Sequence, residues 1–235
     1  MKDFLSIMSY PTELLKELLR LSARLKSLYT VGGEDLCLAG KTLAMLFEKP
    51  SLRTRISFQV AMTDLGGHPI YVKPEEIGGI GKRESVKDIA RVLSRYVDGI
   101  MARTFEHNTI TDLAQYATVP VINALTDWSH PCQAMADVLT IQEHCKDYEG
   151  VKIAFIGDGN NVARSLAHAC AKLNMKMVIA SPAGYELDAE TIKDVNEILP
   201  GCVRQTNDPG VAVLDADIIY TDTWVSMGQE AEKQK

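Results

Sequence analysis

Leu43-Ala44-Met45-Leu46-Phe47-Glu48-Lys49-Pro50-Ser51-Leu52-Arg53-Thr54-Arg55 begins as an apolar run of strand length and ends in hydroxyl and guanidinium groups at the opening of an amphipathic stretch. The run reads as a strand, and Arg55 to Leu65 beyond it as a helix. The same pair of signals recurs along the chain. Strands are expected at Leu43 to Phe47, Pro69 to Val72, Gly99 to Arg103 and Pro120 to Leu125, with helices over Arg55 to Leu65, Ser85 to Tyr96 and Ile110 to Ala117 between them. Ahead of them Leu14, Leu15, Leu18, Leu21 and Leu25 form a helical stripe, with Ser9 and Pro11 as start signals. Strand and helix in strict turn require right-handed crossovers. The fold class is therefore α/β, a mostly parallel sheet flanked by helices on both faces, with ligands gathered at the carboxyl ends of the strands.

The alternation restarts after Lys146-Asp147-Tyr148-Glu149-Gly150. Strands are expected over Val151 to Ile156, Met177 to Ala180 and Asp217 to Thr221, with helices from about Val162 to Leu173 and from about Asp188 to Leu199. This predicts two domains, residues 1–147 and 148–235. A second domain of that size is small for the architecture, so it is expected to be incomplete at its C-terminus.

Composition narrows the function. Of 235 residues 46% are hydrophobic and 24% charged, the mixture of a globular protein with a real core. The net charge of -6, with 25 scattered Lys and Arg, offers no basic stripe for nucleic acid. No apolar run approaches the roughly 18 residues of a membrane span, and Met1-Lys2-Asp3-Phe4 lacks a signal peptide's layout. A cytoplasmic protein without nucleic-acid or membrane partners is expected. The five cysteines (Cys37, Cys132, Cys145, Cys170, Cys202) form no CxxC pair, so reduced thiols are expected rather than disulfides or a zinc site.

Five segments carry candidate chemistry. Ser51-Leu52-Arg53-Thr54-Arg55 opens a helix, where unpaired N–H groups and the dipole favour an anion such as phosphate, although capping by Ser51 or Thr54 and solvation of the arginines account for it equally well. Arg103 ends a strand, where ligand groups gather and surface ion pairs are also common. In Trp128-Ser129-His130-Pro131-Cys132-Gln133, Pro131 suits the first turn of a helix running on to His144. An imidazole and a primary amide there can recognise a carbamoyl-like group, or His130 can simply cap. Gly157-Asp158-Gly159-Asn160-Asn161-Val162 resembles the start of a dinucleotide fingerprint, but Val162 occupies the third glycine position and Ser181-Pro182 stands where a ribose-binding acid should be. NAD is disfavoured, and the asparagine pair can serve a carboxylate or amine. Finally, Asp222 in Thr221-Asp222-Thr223-Trp224-Val225-Ser226-Met227-Gly228 can pair with an ammonium, unless the segment is a solvated turn.

In this order and at these separations the five segments closely resemble the ornithine carbamoyltransferases of the aspartate/ornithine carbamoyltransferase family. Ser51-Leu52-Arg53-Thr54-Arg55 is similar to its S-x-R-T-R signature, His130-Pro131-Cys132-Gln133 to its H-P-x-Q, and Asp222 with Ser226-Met227-Gly228 to its D-x-x-x-S-M-G loop. The resemblance implies that residues 1–147 bind carbamoyl phosphate and residues 148–235 ornithine. Ser51, Leu52 (through its backbone), Arg53 and Thr54 would hold the phosphate, and Arg103, His130 and Gln133 the carbamoyl end. Asn161, Asp222, Ser226 and the Met227 backbone would orient ornithine, with Asn160 the alternative in the asparagine pair. Arg103, His130 and Thr54 would be catalytic, aimed at the carbonyl oxygen as charge builds on it. The implied reaction forms citrulline and phosphate in arginine metabolism, requires no metal or organic cofactor, and runs in a homotrimer whose domains or loops close over the substrates.

The family pattern continues with an H-C-L-P segment, an Arg and a final helix, none of which occurs in this sequence. Gly78 to Gly81 aligns with a mobile loop that in relatives reaches a neighbouring subunit, but Gly79 stands where some relatives have Gln. Transfer to another amine such as putrescine or acetylornithine, disfavoured by Ser226-Met227-Gly228, and a non-catalytic carbamoyl phosphate or phosphate sensor are the rival readings.

Overall fold

A computed structural model of the chain describes residues 2–73, 75–76 and 78–223. It contains two compact units, Met1–Met135 and Ala136–Lys235. In the first, the described elements are α1 (Thr12–Thr30), β1 (Thr42–Phe47), α2 (Leu52–Asp64), β2 (His68–Val72), α3 (Val86–Leu93), β3 (Gly99–Arg103), α4 (His107–Tyr116) and β4 (Val121–Leu125). The next helix, α5 (Pro131–Cys145), begins in the first unit and ends in the second. There follow β5 (Lys152–Ile156), α6 (Asn161–Lys172), β6 (Lys176–Ala180), α7 (Ala189–Ile198), β7 (Val203–Thr206), α8 (Pro209–Val213) and β8 (Ile218–Thr221).

The first sheet has the order β2-β1-β3-β4, and every pairing in it is parallel. Alternate residues of β1 explain why helices cover both faces, because successive side chains in a strand point opposite ways. Ala44 and Leu46 join Ile100 and Ala102 in a core with Ile89 and Ala90 of α3 and Ile110 and Leu113 of α4. Leu43, Met45 and Phe47 pack instead with Met101 of β3 and with Met62 and Phe58 of α2. The second sheet runs β7-β6-β5-β8, again parallel throughout. The short helix α8 packs on its Ala154 and Ala180 face through Ala212.

Two elements, β7 and α8, went unread in the sequence. Val203-Arg204-Gln205-Thr206 is a four-residue edge strand with only Val203 buried, and Pro209–Val213 is a single turn capped by Asp208. Neither carries enough periodic apolar residues to stand out from a loop. The opening helix continues to Thr30, and α2 starts at Leu52 rather than Arg55 because Ser51 caps it, its side chain accepting from the Thr54 N–H.

The second unit also holds a pH-sensitive group. His168 in α6 is buried, and burial, aided by the positive charges of Arg164 and Lys172 against the opposing Asp194 and Asp188, pushes its pKa down to about 4. An unfolded histidine, titrating near 6.5, takes up its proton before the folded one does. The stability is therefore complete above pH 6.5 and is lost as pH falls towards 4, by as much as about 3 kcal/mol from this residue. Urea unfolding at successive pH values is expected to show that decline, and His168→Gln to flatten it.

Candidate active site

Each sheet reverses its strand order once, between β1 and β3 in the first and between β5 and β8 in the second. Adjacent loops at such a switch point leave in opposite directions and open a crevice beyond the carboxyl ends of the strands. Ser51 to Thr54 and Arg103 stand at the first of these places and Asn160, Asn161 and Asp222 at the second, while His130 and Gln133 follow β4.

In the first unit β1 and β3 end level, Phe47 opposite Arg103. The β1 end leads through Glu48-Lys49-Pro50 to Ser51, the N-cap of α2. Ser51 Oγ donates to Thr54 Oγ1 at 3.0 Å and accepts from the Thr54 N–H at 3.4 Å. Leu52 is the first helical residue, and its side chain is turned out to solvent, 77% exposed, so only its backbone is available to a ligand at the helix end. Arg55 lies apart from the group: its Nε donates to Gln59 and its guanidinium covers the Tyr71 ring at 4.1 Å.

Arg103 is only 5% exposed. The β3–β4 register slips between Ala102 and Arg103, an irregularity of the kind that re-aims a side chain at the end of a sheet. Its Nη1 donates to Thr54 Oγ1 at 3.3 Å, and its buried Nε has no hydrogen-bond partner among the described residues. Thr54 Oγ1 thus accepts from both Ser51 and Arg103, which leaves its own proton to donate. Burial, and then the nearby positive charge of Arg53, lower the Arg103 pKa, while Asp127 acts in the opposite sense. Two guanidinium groups near one another with a donor unused form a cradle for an anion with a further acceptor oxygen.

His130 and Gln133 enter from β4 and α5. The His130 carbonyl accepts the Ala134 N–H, placing the imidazole at the start of α5, and Gln133 follows in its first turn. Burial, with a contribution from the Arg103 charge, drives the His130 pKa down to about 4. The ring is neutral at pH 7, so it offers one N–H donor and adds no charge to an already cationic site. Cys132 between them is no nucleophile: burial raises its pKa to about 12, and its Sγ donates to the Asn123 carbonyl at 3.4 Å.

At the second switch point, β5 passes through Gly157, at φ +151°, and Gly159 into α6. Asn160 is the N-cap: Oδ1 accepts from the N–H groups of Val162 and Ala163, and Nδ2 donates to Asp222 Oδ2 at 3.4 Å. Asn161 is the first residue of α6. Asp222 follows β8 and also accepts the Thr223 N–H at 2.7 Å. Of the other expected ornithine-side residues, Ser226 and Met227 lie outside the described residues. Just before Asn160, Gly159 lets the chain pass the Glu186–Leu187 backbone: an added Cβ would stand 2.2 Å from the Leu187 nitrogen and 2.4 Å from the Glu186 carbonyl carbon. Both are backbone atoms, so Gly159→Ala is expected to cost roughly 1–3 kcal/mol or more, read as a lowered urea midpoint.

Three groups at the strand ends around this arrangement had no role in the sequence reading. Glu48 accepts the Phe105 N–H, Lys49 pairs with Asp127, and His107 Nδ1 lies 2.9 Å from Thr126 Oγ1. Their signals, charged or polar residues in a loop or at a helix start, do not differ from those of solvated side chains. Among the described residues there is no cluster of His, Cys, Asp and Glu able to hold a metal ion, and no helix long and apolar enough to cross a membrane.

Residues 2–143 match the carbamoyl-P binding domain of aspartate/ornithine carbamoyltransferases, and residues 149–235 match their Asp/Orn binding domain. The chain is 51% identical over 234 residues to the ornithine carbamoyltransferase of Anoxybacillus flavithermus, covering 98% of this chain and 74% of the relative. It is 48% identical over 237 residues to the anabolic ornithine carbamoyltransferase of Pyrococcus furiosus, covering 100% of this chain and 75% of that one. The solved structure of the ornithine carbamoyltransferase from Pyrococcus furiosus superposes with a TM-score of 0.94 at 49% identity, covering 98% and 74% of the two chains. The anabolic enzyme of Campylobacter jejuni superposes with a TM-score of 0.91 at 37% identity, over 100% and 77%.

Proposed function

The chain belongs to the aspartate/ornithine carbamoyltransferase family, and from that premise we propose that it transfers the carbamoyl group of carbamoyl phosphate to the side-chain amine of L-ornithine, giving L-citrulline and phosphate in arginine biosynthesis. The observation that carries the reading is Arg103, a buried guanidinium bonded to Thr54 in the first turn of α2, with Nε left over.

The chemistry follows from the donors. Phosphate binds at the α2 N-terminus through Ser51, the Leu52 N–H, Arg53 and Thr54, where unpaired N–H groups and the helix dipole favour negative charge. The carbamoyl end lies toward Arg103, neutral His130 and the Gln133 amide. The neutral amine of ornithine attacks the carbamoyl carbon, a C–N bond forms, and the carbonyl oxygen takes the negative charge. Arg103, His130 and Thr54 donate to that oxygen, and their bonds strengthen as its charge grows, which is the requirement for catalysis. Collapse breaks the C–O bond, phosphate leaves with the electron pair, and the attacking nitrogen gives up its proton to the departing phosphate. Arg53 and the helix terminus receive the extra charge.

For the acceptor, Asp222 takes the ornithine α-ammonium, and Asn161, Ser226 and the Met227 backbone complete its orientation. Asn160 serves as the brace that holds Asp222. Residues 1–147 form the carbamoyl phosphate domain and residues 148–235 the ornithine domain in this reading. It extends to a cytoplasmic homotrimer. Support for association comes from α2, where Leu52, Ile56 and Val60, spaced four apart, are exposed together with Ile70 on the edge strand β2.

The test is a panel of acceptors with carbamoyl phosphate: ornithine, acetylornithine, putrescine and aspartate. The carbamoylated product is expected with ornithine alone. Equal turnover with putrescine, which lacks the α-carboxylate and a charged α-centre, would remove Asp222 and the Ser226-Met227-Gly228 loop as specificity elements.

A further inference from the structure

Lys49 stands just before the phosphate-binding turn, yet its ammonium does not face a free anion site. The residue is 8% exposed, its Nζ lies 2.5 Å from Asp127 Oδ1, and it sits 4.5 Å from the centroid of the Phe105 ring. Around it three strand-end loops are tied together. The Glu48 N–H donates to the Arg103 carbonyl at 2.9 Å, Glu48 Oε2 accepts the Phe105 N–H at 2.9 Å, and the Asp127 N–H donates to the Phe105 carbonyl at 2.9 Å.

An ammonium buried to this degree is costly to desolvate, and an apolar residue of similar volume would usually serve stability as well. Asp127 poses the opposite difficulty. Its side chain is 60% exposed, on the loop that leads to His130, and it lies near enough to Arg103 to act on its titration. A carboxylate free to move beside Arg103 and Arg53 is chemically a competitor for the anion these groups are arranged to take.

We propose that Lys49 is a positioning residue that holds the Asp127 carboxylate away from Arg103, so that the guanidinium remains available to substrate. The argument rests on the carbamoyl phosphate reading for the identity of that substrate, and not for the contact itself. Lys49 holds Asp127 in place, the Phe105 ring shields the pair on one side, and neither guanidinium takes the carboxylate as its ion-pair partner. Without Lys49, Asp127 turns to Arg103 and closes the site from within. If that internal pair forms in about nine molecules of ten, apparent affinity for carbamoyl phosphate falls about tenfold, because only the open fraction binds.

The test uses Lys49→Met, Asp127→Asn and the double variant. Because Asp127 is largely solvated, loss of Lys49 strands no buried charge, and Lys49→Met is expected to fold. Two readouts are taken: the Arg103 Nε resonance in ligand-free, 15N-arginine-labelled protein, and the affinity for carbamoyl phosphate by calorimetry. Lys49→Met is expected to shift the Arg103 resonance and weaken binding about tenfold. Adding Asp127→Asn is expected to reverse both, and Lys49→Arg to keep both near the parent values. A double variant no better than Lys49→Met, or an Arg103 resonance unmoved by Lys49→Met, overturns the proposal. The resonance needs no ligand, so failure of the parent chain to bind carbamoyl phosphate would count against the functional reading alone.

Discussion

Arg103→Ala is expected to weaken carbamoyl phosphate binding about a hundredfold while leaving inorganic phosphate bound nearly as before. A charge-assisted hydrogen bond is worth roughly 1.5–3 kcal/mol, and this side chain offers its unused Nε together with the charge behind Nη1, so a loss of about 3 kcal/mol is reasonable. Folding should not suffer in proportion. Burial already lowers the Arg103 pKa, which means the ligand-free site carries a desolvated cation that alanine removes. Arg103→Lys is expected to recover little, since an ammonium cannot reproduce the planar fork. The contrasting variant is Arg53→Ala, which should lose inorganic phosphate and carbamoyl phosphate alike, because Arg53 belongs to the α2 terminus. Calorimetric titration of both ligands into both variants separates the ends of the site. Parallel losses in Arg103→Ala, or unchanged affinity in Arg53→Ala, would contradict the assignment.

Asp222→Asn is expected to weaken ornithine about thirtyfold, with carbamoyl phosphate affinity unchanged. The substitution keeps the shape and removes the charge proposed to meet the α-ammonium, a difference of about 2 kcal/mol for a charged hydrogen bond. Asn160→Ala should produce a smaller loss in the same ligand. It removes the donor on Asp222 Oδ2 and, with it, the cap that accepts from Val162 and Ala163. The cap contributes about 1 kcal/mol to α6, so the two effects are distinguishable by measuring thermal stability beside affinity. A drop in carbamoyl phosphate binding in either variant would place Asp222 in the wrong site.

The parallel sheets were legible in the sequence because their central strands are nearly continuous apolar runs, interrupted only at their ends, as by Lys152 and Arg103. Leu43 to Phe47 and Val151 to Ile156 sit in the middle of their sheets, and burial on both faces leaves no room for polar alternation. The same rule explains the omission of β7, whose edge position lets Arg204 and Gln205 face water. The helix starts that carry the candidate residues were read from residue types that serve there, Ser51, Thr54, His130 and Asn160. Roles that depend on packing were not. Nothing near Lys49 in the sequence distinguishes a buried ammonium from a solvated one, and its partner Asp127 is 78 residues away. Likewise the sequence favours Asn161 of the asparagine pair, with Asn160 as the alternative, and only the helix start shows that Asn160 is the cap and directs its Nδ2 to Asp222.

Arg103, His130 and Thr54 are proposed to act on the carbonyl oxygen of carbamoyl phosphate. The carbonyl 13C resonance of [13C]carbamoyl phosphate bound to the chain reads that polarisation directly. It is expected to move downfield on binding, and most of the movement is expected to vanish in Arg103→Ala at saturating ligand. Absence of binding, or a bound resonance that Arg103→Ala leaves in place, would contradict the account.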